Sequence, residues 1–107
     1  VAGIEHIQGQ AVKLHALQPL YVCTLNDGHI LHGRALVIAI GALPKSTLLQ
    51  GFVELTAEGY VTTGEDMQTS LPGVYAAGDI RDKTMRFLMT AAADGVVAGT
   101  CVADYLR

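Results

Sequence analysis

A glycine and an aspartate, Gly78 and Asp79, end an apolar stretch that reads GVYAAGDI over residues 73 to 80. An ionised carboxylate only accepts hydrogen bonds, so Asp79 is suited to bind hydroxyl groups of a sugar or sugar alcohol. Aspartate after glycine is also common turn chemistry, in which the carboxylate caps its own loop. This stretch alone leaves both interpretations open, and both put Asp79 at the end of a short apolar strand.

The histidines and cysteines show no spacing that would build a site. His29 and His32 are three residues apart, which puts them on opposite faces of a strand, whereas metal sites need three or four converging ligands. Cys23 and Cys101 are far apart and form no C-x-x-C. We predict no metal site, surface histidines, and cysteines that act as small buried hydrophobic residues.

Two short segments, EDMQT (65 to 69) and RDK (81 to 83), hold charges at turns. Charges in such turns are usually exposed to solvent, and we expect the same here. As an alternative, Arg81, Asp82 and Lys83 contact a partner domain or a protein substrate.

The segment from about Thr84 to Leu106 has helical periodicity. Its apolar residues recur every three or four positions and form one stripe dominated by small residues. Each glycine in it costs about 1 kcal/mol of helix propensity relative to alanine, which is tolerable if the small side lies close on a sheet. Strand, Gly-Asp loop and helix together predict a β-loop-α unit, and open α/β sheets bind ligands beside the N-terminus of such a helix. The predicted stripe comprises Leu88, Ala91, Ala92, Gly95, Val96, Gly99, Val102 and Leu106.

The first third of the chain has the alternation and turn residues of antiparallel strands. We predict a loose strand over residues 4 to 15, a better one over 20 to 25, and a short return strand over 29 to 31. The Asn-Asp-Gly sequence at 26 to 28 supplies the tight turn between the last two. These segments predict an antiparallel meander.

The middle of the chain changes pattern. Six consecutive apolar residues at 35 to 40 predict a strand covered on both faces. Ser46 is then a candidate N-cap for one short turn, which Gly51 closes. A small hairpin is predicted over 52 to 63, and a proline turn over 70 to 73.

The amino-acid composition limits the classes of protein to which the chain can belong. The chain has 107 residues, of which 50% are hydrophobic and 16% charged, and its net charge is −3. These values predict a small globular domain, or a piece of a larger one with some apolar surface against the remainder, and they disfavour binding to nucleic acid or to a membrane. The longest uncharged apolar stretch, residues 35 to 43, is far shorter than a membrane span of about 20 residues. No signal peptide opens the sequence, and two lone cysteines favour a reducing compartment, so we expect a cytoplasmic protein.

The longer frame MQTSLPGVYAAGDIRDK (67 to 83) resembles the late signature of the thioredoxin-reductase-like flavoproteins, T-x-x-P-G-(V/I)-(F/Y)-A-A-G-D. Upstream, VIAIGALPKSTLL (37 to 49) is similar to the family's strand ending in G-x-x-P-N-T, and GYVTTGEDMQTS (59 to 70) to its connector. Downstream, RDKTMRFLMTAAADGVVAG is similar to the family's final helix. The resemblance covers about residues 20 to 107, and an eleven-residue motif is far more specific than a lone G-x-G-x-x-G. It implies an α/β fold, part of a three-layer, Rossmann-like FAD/NAD(P)-binding domain with an antiparallel meander, short parallel-type strands and a long C-terminal helix.

The resemblance also implies roles for five residues in an FAD site. Gly78 would let the backbone approach the cofactor because it lacks a Cβ atom, and Asp79 would bind the ribityl hydroxyls. The N-terminus of the last helix, at Arg86, Phe87 and Leu88, would point at the flavin N1/C2=O edge, where negative charge develops on reduction.

Two positions depart from the family pattern. The family has R-Q-A or R-Q-V where this chain has Arg86, Phe87 and Leu88, and a phenylalanine side chain cannot form the hydrogen bond that glutamine can. Lys45 stands where the family has asparagine. Both departures concern the tuning of the flavin more than the fold.

Other features of a complete reductase of this family are absent from the sequence. It contains no G-x-G-x-x-G fingerprint for the FAD pyrophosphate or for NAD(P)H, and no C-x-x-C for disulfide reduction. By the family's order of segments, residues 1 to 50 resemble the end of the NAD(P)H domain, and residues 51 to 107 the returning part of the FAD domain. We therefore expect the chain alone to be inactive, as a C-terminal fragment, a split subunit or a shortened homologue.

The leading hypothesis is a part of an FAD-dependent NAD(P)H oxidoreductase that resembles thioredoxin reductase and supplies ribityl and flavin-edge contacts. The parent enzyme would pass hydride from nicotinamide to flavin, and electrons on to a disulfide or another acceptor. An N-terminal FAD/NAD(P)H-binding part or a second chain would complete the site, and the parent is expected to be a homodimer. The alternative is a non-catalytic interaction or assembly module derived from that fold, and a third possibility is a degenerate remnant that folds poorly alone.

Overall fold

Five strands, one 3-10 turn and one long helix build the fold in the computed structural model, which describes residues 3–42 and 47–107. A three-stranded antiparallel sheet in the order β1-β2-β3 precedes a two-stranded sheet, β4-β5. The structure thus confirms the predicted α/β architecture of meander, parallel strands and C-terminal helix. In chain order the elements are β1 (Ala11–Leu17), β2 (Leu20–Leu25), β3 (Ile30–Gly33), β4 (Leu36–Ile38), β5 (Val74–Ala76), the 3-10 turn (Gly78–Ile80) and α1 (Leu88–Tyr105).

The antiparallel meander agrees with the sequence in its middle strand and its turn. Strand β2 has the predicted bounds, and the Asn-Asp-Gly turn is closed by the Leu25 N–H, which donates to the His29 carbonyl oxygen at 2.8 Å. The first strand begins at Ala11 and not at residue 4 as predicted. Ala11 pairs with Leu25, the last residue of β2, so residues before it have little strand left to pair with.

The parallel pair sets the geometry of the candidate site. Strands β4 and β5 pair residue for residue from Leu36–Val74 to Ile38–Ala76. One further bond, from the Ala77 N–H to the Ile38 carbonyl oxygen at 2.9 Å, extends the ladder past the end of β5. Because the strands are parallel, their carboxyl ends lie at the same edge of the sheet, and the Gly-Asp loop leaves from that edge.

The two faces of β5 are buried in different clusters. Val74 and Ala76 face the larger cluster, while Tyr75 and Ala77 pack in a smaller one against α1. The prediction that the 35 to 40 strand is covered on both faces is wrong for this chain. Ile38 is buried in the larger cluster, but Val37 on the opposite face is 43% exposed, because α1 packs mainly against β5 and the 3-10 turn.

Residues from both sides of the predicted boundary near residue 50 share the larger core cluster. Tyr21 and Ile38 contribute from the first part, and Val53 and Val61 from the second. The division into two domain segments stays a prediction.

The middle of the chain folds as turns. Ser46 and Lys45 lie outside the described residues. The turn that follows is closed by the Phe52 N–H, which donates to the Leu49 carbonyl oxygen at 3.1 Å. The predicted hairpin over 52 to 63 is present as a single antiparallel bridge between Leu55 and Val61.

Helix α1 starts at Leu88, four residues later than predicted. The hydroxyl oxygen of Thr90 accepts a hydrogen bond from the Phe87 N–H at 3.0 Å and so caps the helix at this point. Before it, the Arg86 side chain is bonded to carbonyl groups of the preceding loop, so the segment 84 to 87 follows the loop instead of continuing the helix.

The predicted apolar stripe is the packed face of the helix only in part. Leu88 is 85% and Val96 71% exposed, and nothing lies within 4 Å of the place where a Cβ atom on Gly95 or Gly99 would stand. The buried face shares the half-buried Ala91 and Val102 with the stripe and adds Asp94, Ala98 and the half-buried Cys101. Within the described residues, no helix is long and apolar enough to cross a lipid bilayer.

Candidate ligand-binding site

An open cavity of about 280 Å³ lies where β4 and β5 end. Small residues form its walls, and only one of them is charged. The cavity therefore combines an apolar wall, backbone that a ligand can approach closely, and a single carboxylate, at the edge where open α/β sheets bind ligands. The lining residues are Ala39, Gly41, Ala77, Gly78, Asp79, Ala91 and Gly95.

Gly78 is held in the left-handed backbone region, with φ at +84°. A Cβ atom on residue 78 would lie 3.8 Å from the Ala91 Cβ, which is an ordinary van der Waals distance. The backbone conformation, and not a lack of space, is therefore what requires glycine. The Gly78 N–H donates to Oδ2 of Asp94 at 3.0 Å and is therefore not free for a ligand. The loop thus turns sharply at Gly78 and presents the next residue at the cavity.

Asp79 carries an unused acceptor at the cavity wall. Its Oδ1 atom is shielded from solvent and accepts no hydrogen bond from any described residue. Lys83 Nζ stands 3.8 Å from it, close enough for an ion pair but too far for a hydrogen bond. The side chain as a whole is 39% exposed, so a ligand in the cavity reaches the accessible part of the carboxylate, while Oδ1 faces Lys83.

Arg86 binds the loop and does not line the cavity. Its Nε donates to the Asp79 carbonyl oxygen at 3.3 Å, and its Nη2 to the Arg81 carbonyl oxygen at 2.9 Å. The guanidinium carbon lies 4.0 Å from the ring centre of Tyr60. These contacts show that Arg86 holds the backbone at Asp79 and Arg81. Its predicted role at the flavin edge stays a prediction.

The N-terminus of α1 provides free donors beside the cavity. The first N–H group of α1 with an acceptor in the helix is that of Ala91, which donates to the Phe87 carbonyl oxygen at 3.0 Å. The Leu88 and Met89 N–H groups, which precede it, therefore have no partner within the helix. The Phe87 N–H is occupied by Thr90. The side chains of Phe87 and Leu88 are both largely exposed. The Leu88 and Met89 N–H groups are thus available to donate to a ligand.

The sequence analysis missed Asp94, which lies at the centre of the polar contacts behind the loop. Besides the Gly78 N–H, Asp94 accepts hydrogen bonds from Arg81 Nη1 at 2.7 Å and from Lys83 Nζ at 3.0 Å. Burial alone would raise the pKa of Asp94, but these donors outweigh it and hold that pKa below its usual value. A signal was available, because a carboxylate within the apolar run AAADGVV needs a partner if the helix packs there.

The expectation that the RDK charges are solvated is wrong for two of the three. The side chains of Arg81 and Lys83 are only 15% and 10% exposed, and both pair with Asp94. Arg81 also donates from Nε to Thr63 Oγ1 at 2.7 Å. Asp82 is exposed, as predicted.

The histidine and cysteine residues form no second site. Across residues 3–42 and 47–107, no three His, Cys, Asp or Glu side chains come together as metal ligands. His29 is exposed and pairs with Asp27 at 2.8 Å in the hairpin turn. Cys23 and Cys101 are free thiols, and both are half-buried.

Comparison with known proteins shows the family to which this chain belongs. A family model described as pyridine nucleotide-disulphide oxidoreductase matches residues 2 to 95. Among curated relatives, a thioredoxin reductase of Listeria innocua is 33% identical over 105 residues, which cover 97% of this chain and 32% of that protein. A thioredoxin reductase of Peptoclostridium litorale is 44% identical over 70 residues, or 65% of this chain and 22% of that protein. The chain thus spans between about a fifth and a third of these relatives.

Solved structures agree with the architecture. A thioredoxin reductase from Gloeobacter violaceus superposes with a TM-score of 0.83 over 92% of this chain and 69% of that one, and at 18% identity this likeness shows the fold alone. A thioredoxin reductase from Streptococcus pyogenes is 30% identical, with a TM-score of 0.57 over 81% of this chain and 29% of that one.

Proposed function

Because the chain belongs to the pyridine nucleotide-disulphide oxidoreductase family, we propose that it is part of an FAD-dependent NAD(P)H oxidoreductase resembling thioredoxin reductase. Its part in that enzyme is one wall of the FAD site. The observation that carries this proposal is the place of Asp79, whose side chain is 39% exposed and is the one charged group lining the cavity where β4 and β5 end.

The residues around the cavity fit a flavin cofactor. Asp79 accepts a hydrogen bond from a ribityl hydroxyl, since it is the one charged group on an otherwise small and apolar wall. Gly41, Gly78 and Gly95 present no side chain, so a flat ring system reaches the backbone. The walls of this chain enclose only part of such a ligand, which agrees with a shared site.

The start of α1 supplies the electrostatic part of the site. The free N–H groups of Leu88 and Met89 and the positive end of the helix dipole stabilise negative charge on a ligand placed beside them. In the holoenzyme NAD(P)H would reduce the bound FAD, and electrons would then pass to a disulfide or another acceptor. The part of this chain is to bind, orient and polarise the cofactor, because its sequence has neither dinucleotide fingerprint nor C-x-x-C.

The exposed apolar side of α1 supports a site that is completed by further polypeptide. Leu88, Met89 and Val96 are each at least 71% exposed, and Val37 of β4 is 43% exposed. Monomeric proteins rarely leave such residues together in water. We propose that an N-terminal FAD/NAD(P)H-binding part, or a second chain, covers this side, in a homodimeric, cytoplasmic parent enzyme. The matches described above support an oxidoreductase and not the alternative of an assembly module.

The proposal is tested by FAD binding to the full-length protein. Replacing Asp79 by alanine removes a hydrogen bond to a charged acceptor, so we expect the dissociation constant for FAD to rise about 10- to 100-fold. Fluorescence titration of the apoprotein measures this, and the flavin absorbance of the purified protein gives an independent readout. Asp82→Ala is the matched control, because Asp82 is in the same loop but exposed, and it should bind FAD like the wild type. Equal affinity of the Asp79→Ala and Asp82→Ala proteins would reject the assignment.

A further inference from the structure

We propose that Asp94 is a positioning residue that keeps Asp79 available to the cofactor by holding the side chain of Lys83 away from it. The inference rests on the proposed function, because it concerns the same FAD contact. Asp94 does not line the cavity and touches no reacting atom; it acts through the loop of residues 78 to 83.

The contacts of Asp94 first fix the course of the loop. One buried carboxylate, 8% exposed, accepts from three points of the same loop: the Gly78 N–H, Arg81 Nη1 and Lys83 Nζ, all within 3.0 Å. Because these donors lie on both sides of Asp79, the loop wraps around Asp94. Asp79 lies between these donors in the chain, and its side chain lines the cavity.

Lys83 is the shared partner on which the proposal depends. Its ammonium group lies 3.0 Å from Asp94 Oδ2 and 3.8 Å from Asp79 Oδ1, so it bonds Asp94 and only approaches Asp79. Thr90 Oγ1 is a weaker third partner at 3.5 Å. The lysine side chain is 10% exposed and has little access to water as an alternative.

Without the charge of Asp94, the nearest carboxylate to Lys83 is Asp79. A movement of about 1 Å would bring the ammonium within hydrogen-bond distance of Oδ1. The lysine would then pair with the Asp79 carboxylate and compete with the cofactor hydroxyl for it. Arg81 would not move with it, because Thr63 Oγ1 holds its Nε.

The test compares FAD affinity in two backgrounds of the full-length protein. Asp94→Asn keeps an oxygen for the Gly78 N–H but removes the charge that holds Lys83, and should weaken FAD binding about tenfold or more. In a Lys83→Met background the same replacement should change the affinity by less than about threefold, because no ammonium remains to block Asp79. Fluorescence titration with FAD gives the dissociation constants, and circular dichroism checks that each variant is folded.

A purely structural role for Asp94 predicts the opposite result. Asp94→Asn would then weaken FAD binding equally in both backgrounds, and this additivity would overturn the inference, as would wild-type affinity in Asp94→Asn itself. Asp94→Glu keeps the charge and is expected to retain affinity within about threefold. It also carries the test if Asp94→Asn does not fold, since a loss of more than about tenfold in a folded Glu variant would reject the proposal.

Asp79→Ala, measured in parallel, separates this inference from the proposed function. Loss of affinity in Asp79→Ala without loss in Asp94→Asn overturns the role of Asp94 alone. Unchanged affinity in Asp79→Ala overturns the FAD contact itself, and the role of Asp94 with it.

Discussion

The guanidinium group of Arg86 lies on the ring of Tyr60, with 4.0 Å between its carbon and the ring centre. The same group donates to the carbonyl oxygens of Asp79 and Arg81. One side chain therefore ties three segments together: the hairpin that carries Tyr60, the loop that carries Asp79, and the residues that lead into α1. The arginine of the family signature has a structural task in this chain, independent of any bound cofactor.

Arg86→Lys should destabilise the protein. A lysine keeps the charge but has no planar fork, so it cannot stack on Tyr60 and bond both carbonyl groups together. We expect a loss of about 1 to 2 kcal/mol in the free energy of unfolding. Urea denaturation measures it, with Arg34→Lys as the control, since Arg34 is exposed on the meander. Equal stability of the two variants would show that the stacked geometry contributes nothing.

Gly73→Ala should destabilise the turn that starts β5. Gly73 has φ at +86°, and an added Cβ would lie 2.7 Å from the hydroxyl oxygen of Tyr105. The backbone strain alone costs about 1 to 2 kcal/mol, and the displaced tyrosine adds to it. Gly28→Ala is the matched control, because Gly28 has a similar φ of +92° but nothing within 4 Å. A smaller loss in Gly73→Ala than in Gly28→Ala, measured by chemical denaturation, would contradict the role of Tyr105.

Thr69→Val should weaken the same turn by loss of hydrogen bonds. The buried Thr69 hydroxyl donates to the Val74 carbonyl oxygen at 2.8 Å and accepts from the Leu71 N–H at 3.2 Å. Valine has the same shape and neither bond, so we expect a loss of about 1 to 2 kcal/mol. The exposed Thr84 offers a control, and thermal unfolding of Thr84→Val should match the wild type. A Thr69→Val protein as stable as this control would mean that the turn holds without the hydroxyl.

Stability should fall at acid pH because of Asp94. Its pKa is lowered in the folded state, so the charged form contributes stability that is complete above the ordinary aspartate pKa of about 3.9. That contribution is lost as the pH falls from there through the lowered pKa. The charged groups facing Asp94 are Arg81 and Lys83, with Asp79 beyond the lysine. Asp94→Asn should flatten the pH dependence of the free energy of unfolding in this window, whereas Asp82→Asn, at an exposed site, should leave the slope unchanged; equal slopes in both variants would contradict the assignment.

Local patterns gave correct predictions where the cause of a structure is also local. Strand β2 alternates over six residues and has the predicted bounds, and the Asn-Asp-Gly turn is closed by bonds between neighbours. The family signature located the Gly-Asp loop because its Thr69, Gly73 and Gly78 are needed by the backbone itself. Such requirements depend on only a few consecutive residues, so a sequence pattern can reveal them.

The packed face of α1 could not be predicted in this way. Periodicity ranks residues by their apolar character, so it selected the side with Leu88 and Val96 and placed Asp94 outside the stripe. The structure packs the side with Asp94, because two cations and a backbone N–H from 11 to 16 residues away neutralise and bond its carboxylate. A pattern of neighbouring residues carries no information about contacts between residues so far apart in the chain.

Residues that are close in the chain are therefore enough to specify the order of the elements, the sharp turn at Gly78 and the position of Asp79 at the end of a strand. Which oxygen of Asp79 is left without a donor, and that Lys83 pairs with Asp94, depends on contacts that form when the chain folds. The reason is physical: backbone conformation follows from neighbours in the chain, whereas the pairing of charges depends on differences of less than 1 Å between groups that only folding brings together.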